Sequence, residues 1–277
     1  MENISIFDLE KRTDLKKETK RLMEYFKRTQ FLDINGIYNR TLFDLINSSF
    51  EYWPYRNTAF NIYDFFDLVN INIDIEVMNE ANCLYFLQFI YDYIMWLKEP
   101  LHSLDNYIRE SSFSDVRRYN IQYFDTITQN INIILEMCNY KIVKISDHYT
   151  FVKRDADVDS VLPVIANNDN IKISLLQYHD FRIENNLEEK RKILITIAKY
   201  IEENKDIYKE KNHTLYKKIS EILNNCKIRH LNEKQYDLSD NDLISIYDLC
   251  FNMMLHLIRD IDINEAFSEF KKSLNKQ

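Results

Sequence analysis

The segment Asn224-Asn225-Cys226-Lys227-Ile228-Arg229-His230 brings an imidazole, a guanidinium and two carboxamides into seven residues. These are the groups that move a proton and hold a phosphate oxygen. The same cations also serve simply to end a helix, where they complement its dipole. A second group, Tyr178-His179-Asp180-Phe181-Arg182, precedes an apolar stripe opening at Leu187, which places His179 and Arg182 near one helix end. A third, Tyr52-Trp53-Pro54-Tyr55-Arg56-Asn57, puts aromatic and guanidinium planes at a helix–helix junction. Trp53, Tyr55 and Arg56 are therefore candidate base-stacking residues. The same residues build a cation–π corner of a core, and that is the reading adopted for them.

Other chemistries are excluded by what is missing. Gly36 is the one glycine in 277 residues, so the chain holds no phosphate-cradling P-loop, no dinucleotide fingerprint and no G-x-S-x-G turn. Asp155, Asp157 and Asp159 alternate like the start of a calcium loop, but Ser160 stands where the glycine belongs and Ala166 where the bidentate glutamate belongs. A helix start capped by Asp157 is the expectation instead. Asp237, Ser239 and Asn241 repeat the partial match, with Asp242 at the glycine position. The six histidines are dispersed, and none pairs with a histidine or cysteine at helical spacing, so neither metal nor cofactor is expected. Cys83, Cys138, Cys226 and Cys250 sit far apart among apolar residues and read as reduced core thiols.

The elements that must position these groups are helical. Scarce glycine and proline, with apolar residues recurring at three and four, predict a mainly α protein. Helices are expected near 6–28, 39–51, 57–69, 78–98 and 113–138, then from Leu187, through Leu215 to Cys226, and from Leu243 to Ile261. Ser239 with Asp242 suggests a capping box for the last of these. There Leu243, Ile246, Tyr247, Cys250, Met254, Leu257 and Ile261 form the apolar stripe, and Ser245, Asp248, Asn252, His256 and Arg259 the polar one. Only Tyr140–Ile145 and Tyr149–Lys153 alternate with period two, about the triplet Ser146-Asp147-His148, which predicts a small β-hairpin. It divides a helical part, 1–139, from a bundle, 171–277, through a connector at 140–170.

The formal charge of −8 argues against sequence-independent binding to nucleic acid over a broad face. Residues 1–30, however, carry eight Lys/Arg against six Asp/Glu, so this helix can meet a phosphate backbone or an acidic partner. The start lacks the features of a secretory signal, and the run from Cys83 to Leu97 is shorter than the ~20 residues needed to span a bilayer. A cytoplasmic protein with no membrane contact is expected, its Cys83–Leu97 helix surrounded by protein.

The order of a helical half, a hairpin from Tyr140 and a C-terminal bundle resembles that of bacterial abortive-infection proteins with a HEPN-like (higher eukaryotes and prokaryotes nucleotide-binding) C-terminal domain. The resemblance covers about residues 130 to 275. It implies a bundle of four or five helices that dimerises, and in active members a metal-independent ribonuclease using an arginine, a polar residue and a histidine at a helix end. Asn224 falls at the arginine position, Asn225 at the polar position and His230 at the histidine. No histidine here has an arginine five to seven residues before it, so the strict pattern is not met. The resemblance thus implies a phage-defence protein working without catalysis through RNA or protein contacts. Two other functions stay open: a ribonuclease with His230 as general acid/base, Arg229 stabilising phosphate charge and Asn225 orienting the substrate, or a scaffold that binds an unidentified protein and no nucleic acid.

Overall fold

The computed structural model describes residues 13–72, 74, 77–99, 107–145, 148–165, 168–230 and 235–274, with side chains at 107–111 and 261–274 left aside. The expected class is correct: the chain is mainly helical, with a single two-stranded hairpin among the described residues. It falls into two compact units, Met1–Phe151 and Val152–Gln277.

The N-terminal unit holds α1 (Leu15–Arg28), α2 (Leu42–Ser49) with a 3₁₀ turn at Phe50–Tyr52, α3 (Ile62–Leu68), α4 (Glu80–Lys98), α5 (Tyr107–Met137) and β1 (Tyr140–Ile145). β2 (His148–Lys153) runs on through the division. The helix expected over 6–28 opens at Leu15, because the Asp14 carboxylate accepts from Lys17 N at 3.0 Å and caps it; positions 6–12 lie outside the described residues. Leu15, Leu22, Met23 and Phe26 form its buried stripe. Thr41 and Asp44 make a reciprocal capping box on α2. Helix α4 is apolar nearly all round and is correspondingly enclosed, with Cys83, Leu84, Phe86, Leu87, Phe89, Ile90, Tyr93, Ile94 and Leu97 buried.

With glycine almost absent, asparagine takes over the left-handed positions. Asn39, Asn57, Asn70 and Asn139 have φ between 54° and 67°, beside Gly36 at 75°. Asparagine tolerates this region better than other side chains, because its amide bonds locally to the backbone. Asn139 thereby ends α5 and turns the chain into β1.

The C-terminal unit holds α6 (Ala156–Val161), α7 (Asp169–Gln177), a 3₁₀ turn at Phe181–Ile183, α8 (Leu187–Glu203), α9 (Lys205–Asn225) and α10 (Asp240–Leu274). Ser239 and Asp242 form the expected box at the start of α10. Of the sequence stripe of α10, Leu243, Tyr247, Cys250, Met254 and Leu257 are buried, Ile246 is half-buried and Ile261 lies outside the described side chains; Phe251, Leu255 and Ile258 are buried as well, because α6, α8 and α9 all pack on this helix. Helix α9 kinks at Asn212 (φ −149°, ψ 75°), whose side-chain carbonyl accepts from Leu215 N at 3.1 Å. Asn212 thus acts as an internal N-cap that restarts the helix. The cap of α6 is Asp155 and not Asp157: Asp155 accepts from the amides of Asp157 and Val158, while the Asp157 carboxylate pairs with Arg259 at 2.7 Å.

Candidate functional site

Helix α9 stops at Asn225, and the next five residues form a fastened turn. Lys227 takes φ 57°, the Arg229 amide returns to the Leu223 carbonyl at 3.0 Å, and Gln235 accepts from Lys227 N. The Arg191 guanidinium donates to the carbonyls of Lys227 at 3.1 Å and Ile228 at 2.8 Å, and the Tyr247 hydroxyl donates to Lys227 O at 3.3 Å. Arg229 is engaged twice, by the Glu202 carboxylate and by Asn224 Oδ1 at 3.2 Å. Asn225 is half-buried, with its carbonyl accepting from Tyr236 N at 3.0 Å, and His230 is exposed. The turn thus presents an imidazole to solvent, beside a guanidinium whose charge is already met by a carboxylate.

His179 and Arg182 are engaged elsewhere in the same unit. Arg182 forks onto the buried Asp180, its Nε 2.9 Å from Oδ1. His179 Nε2 is 3.2 Å from Asp155 Oδ2 but off the line of a hydrogen bond. Burial holds this imidazole below its ordinary pKa. Lys190 and Lys153 act in the same direction, against the carboxylates of Asp155 and Asp248. Beside it the Tyr178 ring stacks on Phe251, 3.9 Å between centroids and 5° from parallel, and its hydroxyl donates to Asp248 Oδ1 at 2.8 Å. Burial, with Asp248 next to it, pushes the Tyr178 hydroxyl well above the usual tyrosine range.

Asp248 Oδ1 also accepts from Lys190 Nζ at 2.6 Å, and this ammonium lies 4.9 Å from the centre of the Tyr178 ring. Asp248 is half-exposed on the polar stripe of α10, where the sequence places it, and its Oδ1 also closes over a lysine that is only 4% exposed. Lys190 is inconspicuous in sequence because it stands in the charged run Glu188-Glu189-Lys190-Arg191-Lys192. Its spacing from Leu187, Leu194, Ile197 and Ile201 nevertheless puts it on the apolar face. His256, on the same stripe as Asp248, is exposed as expected and accepts from Arg259 through Nδ1 at 2.6 Å.

The third sequence candidate is part of the core. Trp53 is 4% exposed and meets Phe50, Phe65, Phe89 and Tyr93 with ring centroids 5.1–5.8 Å apart. Arg56 makes no cation–π corner with it; its guanidinium donates to the Glu51 carbonyl at 3.1 Å and the Ala59 carbonyl at 2.7 Å. Tyr55 is exposed and stands edge-on to His148, centroids 4.5 Å apart. All four cysteines are free, and burial raises Cys138 to about 11 and Cys250 to about 12, which makes them inert thiols.

The densest positive surface among these elements is on α1, where six Lys/Arg stand against two glutamates. Lys17, Lys20, Arg21 and Arg28 line an open groove with Glu24 and Tyr25. Among the described residues no group of histidine, cysteine or acidic side chains is arranged to hold a metal ion, and no helix is long and apolar enough to cross a membrane. No family model, curated protein or solved structure matches this chain.

Proposed function

We propose that this chain is a non-catalytic RNA-contact protein of the abortive-infection kind, engaging the phosphate backbone through the cationic face of α1. The observation that carries this reading is the excess of six Lys/Arg over two glutamates on α1. Arg229, the one guanidinium next to the exposed His230, is paired with Glu202 and Asn224, and Arg182 is paired with Asp180. A cation already neutralised by a carboxylate contributes little to a developing phosphate charge. On α1, Lys17, Lys20, Arg21 and Arg28 line one groove. Glu18 and Glu24 reach Arg21, Lys27 and Arg28, yet the cations of this helix still outnumber its acids six to two. On the resemblance, the C-terminal bundle would then serve self-association.

The test is RNA binding by the purified chain across a salt series, with EDTA present and the RNA checked for intactness. The expected result is intact RNA and an affinity that falls with salt. Replacing Lys17, Arg21 and Arg28 by Gln should weaken binding and flatten the salt slope by about 0.7 for each phosphate no longer neutralised. Salt-insensitive binding, or none, overturns the RNA reading and leaves the scaffold. EDTA-resistant cleavage that disappears in His230→Ala overturns the non-catalytic assignment and restores the ribonuclease.

A further inference from the structure

Three tyrosines of the N-terminal unit that carry no local signal in the sequence share one exposed face. Tyr38 is 55% exposed, Tyr119 52% and Tyr123 40%. Tyr38 stands edge-on to Tyr119, centroids 5.9 Å apart at 80°. Tyr119 and Tyr123 are four residues apart on α5 and so lie one above the other, about 6 Å along the helix. The Arg118 guanidinium carbon is 5.0 Å from the centre of the Tyr119 ring. Tyr123 in turn rests against the fully buried Phe31, centroids 5.5 Å apart.

The loop that brings Tyr38 to α5 is held rigidly. Asn120, buried between the two α5 tyrosines in sequence, pairs with both backbone groups of Leu32: its Oδ1 accepts from Leu32 N at 3.0 Å and its Nδ2 donates to Leu32 O at 2.8 Å. Phe31 and Arg40 bridge the base of the loop. The buried Asp33 accepts from Asn35 N at 3.0 Å and Ile37 N at 2.8 Å, with Arg40 Nε 3.7 Å away. Two left-handed residues, Gly36 at φ 75° and Asn39 at φ 67°, flank Ile37 and Tyr38 and turn them outward. The chain's single glycine is in this loop. An aromatic surface fixed in this way loses little further entropy when a ligand settles on it.

We propose that Tyr38, Tyr119 and Tyr123 form a stacking platform for unpaired bases of single-stranded RNA. This rests on the reading that the chain contacts RNA, and it names the form of RNA and where its bases go. Charge complementarity singles out this occupant. The cationic strip of α1 ends at Arg28, whose side chain is 82% exposed, three residues before Phe31 and its bridge to Arg40. The chain runs from the end of α1 directly into the loop that displays Tyr38, which meets Tyr119, whose ring carries the Arg118 guanidinium, itself paired with Asp115 at 2.7 Å. Cationic track followed by exposed rings is how single strands are held without sequence reading. A duplex keeps its bases stacked internally and gains nothing from the rings.

The experiment is fluorescence anisotropy of the full chain with a labelled single-stranded oligoadenylate and with an RNA duplex of equal length, across a salt series. Tyr38→Ala and Tyr119→Leu should each weaken single-strand binding about ten-fold, leave the salt slope unchanged and leave duplex binding unaltered. Tyr119→Phe, which keeps the ring in place, should bind as the parent does. Parent-like affinity in Tyr119→Leu overturns the platform; if the α1 Gln variants still weaken binding, the RNA reading survives it. Equal losses in Tyr119→Phe and Tyr119→Leu also overturn it, since the ring is then not what is read. No binding of either RNA by the parent overturns both.

Discussion

Lys190 Nζ lies 2.6 Å from Asp248 Oδ1, the same oxygen that accepts the Tyr178 hydroxyl, and the lysine side chain is 5% exposed against 45% for the aspartate. Water thus reaches the carboxylate and not the ammonium. Removing the carboxylate leaves the ammonium buried among Tyr178 and the apolar face of α8 with no counter-charge. Asp248→Asn should therefore destabilise the C-terminal unit by about 2–3 kcal/mol, discounted from a fully buried pair because Asp248 is half in solvent. Lys190→Met, which fills the same volume and removes the charge, should cost about 1 kcal/mol. Urea unfolding of the two variants tests the order; equal costs would mean the pair is no more than a surface contact.

The neighbouring His179 makes the same region sensitive to acid. Burial lowers its pKa in the folded chain, with Lys190 and Lys153 assisting and the carboxylates of Asp155 and Asp248 opposing. In the unfolded chain it takes up a proton near its ordinary value of about 6.5. The unfolded state therefore binds more protons just below that pH, and stability falls as the pH drops from about 6.5 toward the folded pKa. Above about 6.5 the contribution is fully present. His179→Gln, which carries no proton in either state, should show a flatter dependence between neutral and mildly acid pH. Parallel curves for the two proteins would sink this account.

Periodicity makes the helices and the hairpin readable, because it records which face of each element is buried. What it does not record is how many faces are. Helix α10 shows a seven-residue stripe in sequence, yet Phe251, Leu255 and Ile258 off that stripe are buried too, since three helices enclose it. Lys190 is hidden by its charged neighbours although its register gives it away. Trp53 and Tyr38 show the limit at a site: both are aromatic residues in loop-like sequence near a proline or a glycine, and only packing over long separations buries one and exposes the other. The Asn120 pairing with Leu32 that fixes the tyrosine platform spans 88 positions and has no local signature. Of the candidate turn, the residue types are legible and the engagement of Arg229 by Glu202, 27 positions away, is not.

Trp53 has a second property that packing alone explains. Its indole Nε1 is buried and has no hydrogen-bond partner among the described residues, so the residue contributes area while carrying an unpaired donor there. Trp53→Phe gives up some of that area and removes the orphan, and should cost no more than about 1 kcal/mol. Trp53→Ala opens a void among Phe50, Phe65, Phe89 and Tyr93 and should cost about 3–5 kcal/mol. Denaturant titration separates the cases; a Phe variant as damaged as the Ala variant would mean the indole nitrogen bonds to a partner after all.

Lys227 is the one residue other than glycine and asparagine that the described chain holds at positive φ. A lysine Cβ in this region crowds the following carbonyl, at a cost of about 1 kcal/mol. The turn tolerates it because both backbone groups of Lys227 are engaged, the amide by Gln235 and the carbonyl by Arg191 and Tyr247. None of these contacts uses the lysine side chain. Lys227→Gly should accordingly stabilise the C-terminal unit by about 0.5–1 kcal/mol, the relief of strain being partly offset by the freer unfolded glycine. Lys227→Asn should stabilise it less. If both variants instead lose stability in urea, the ammonium makes a contact that outweighs the strain, and the segment carrying Arg229 and His230 is held by more than its backbone.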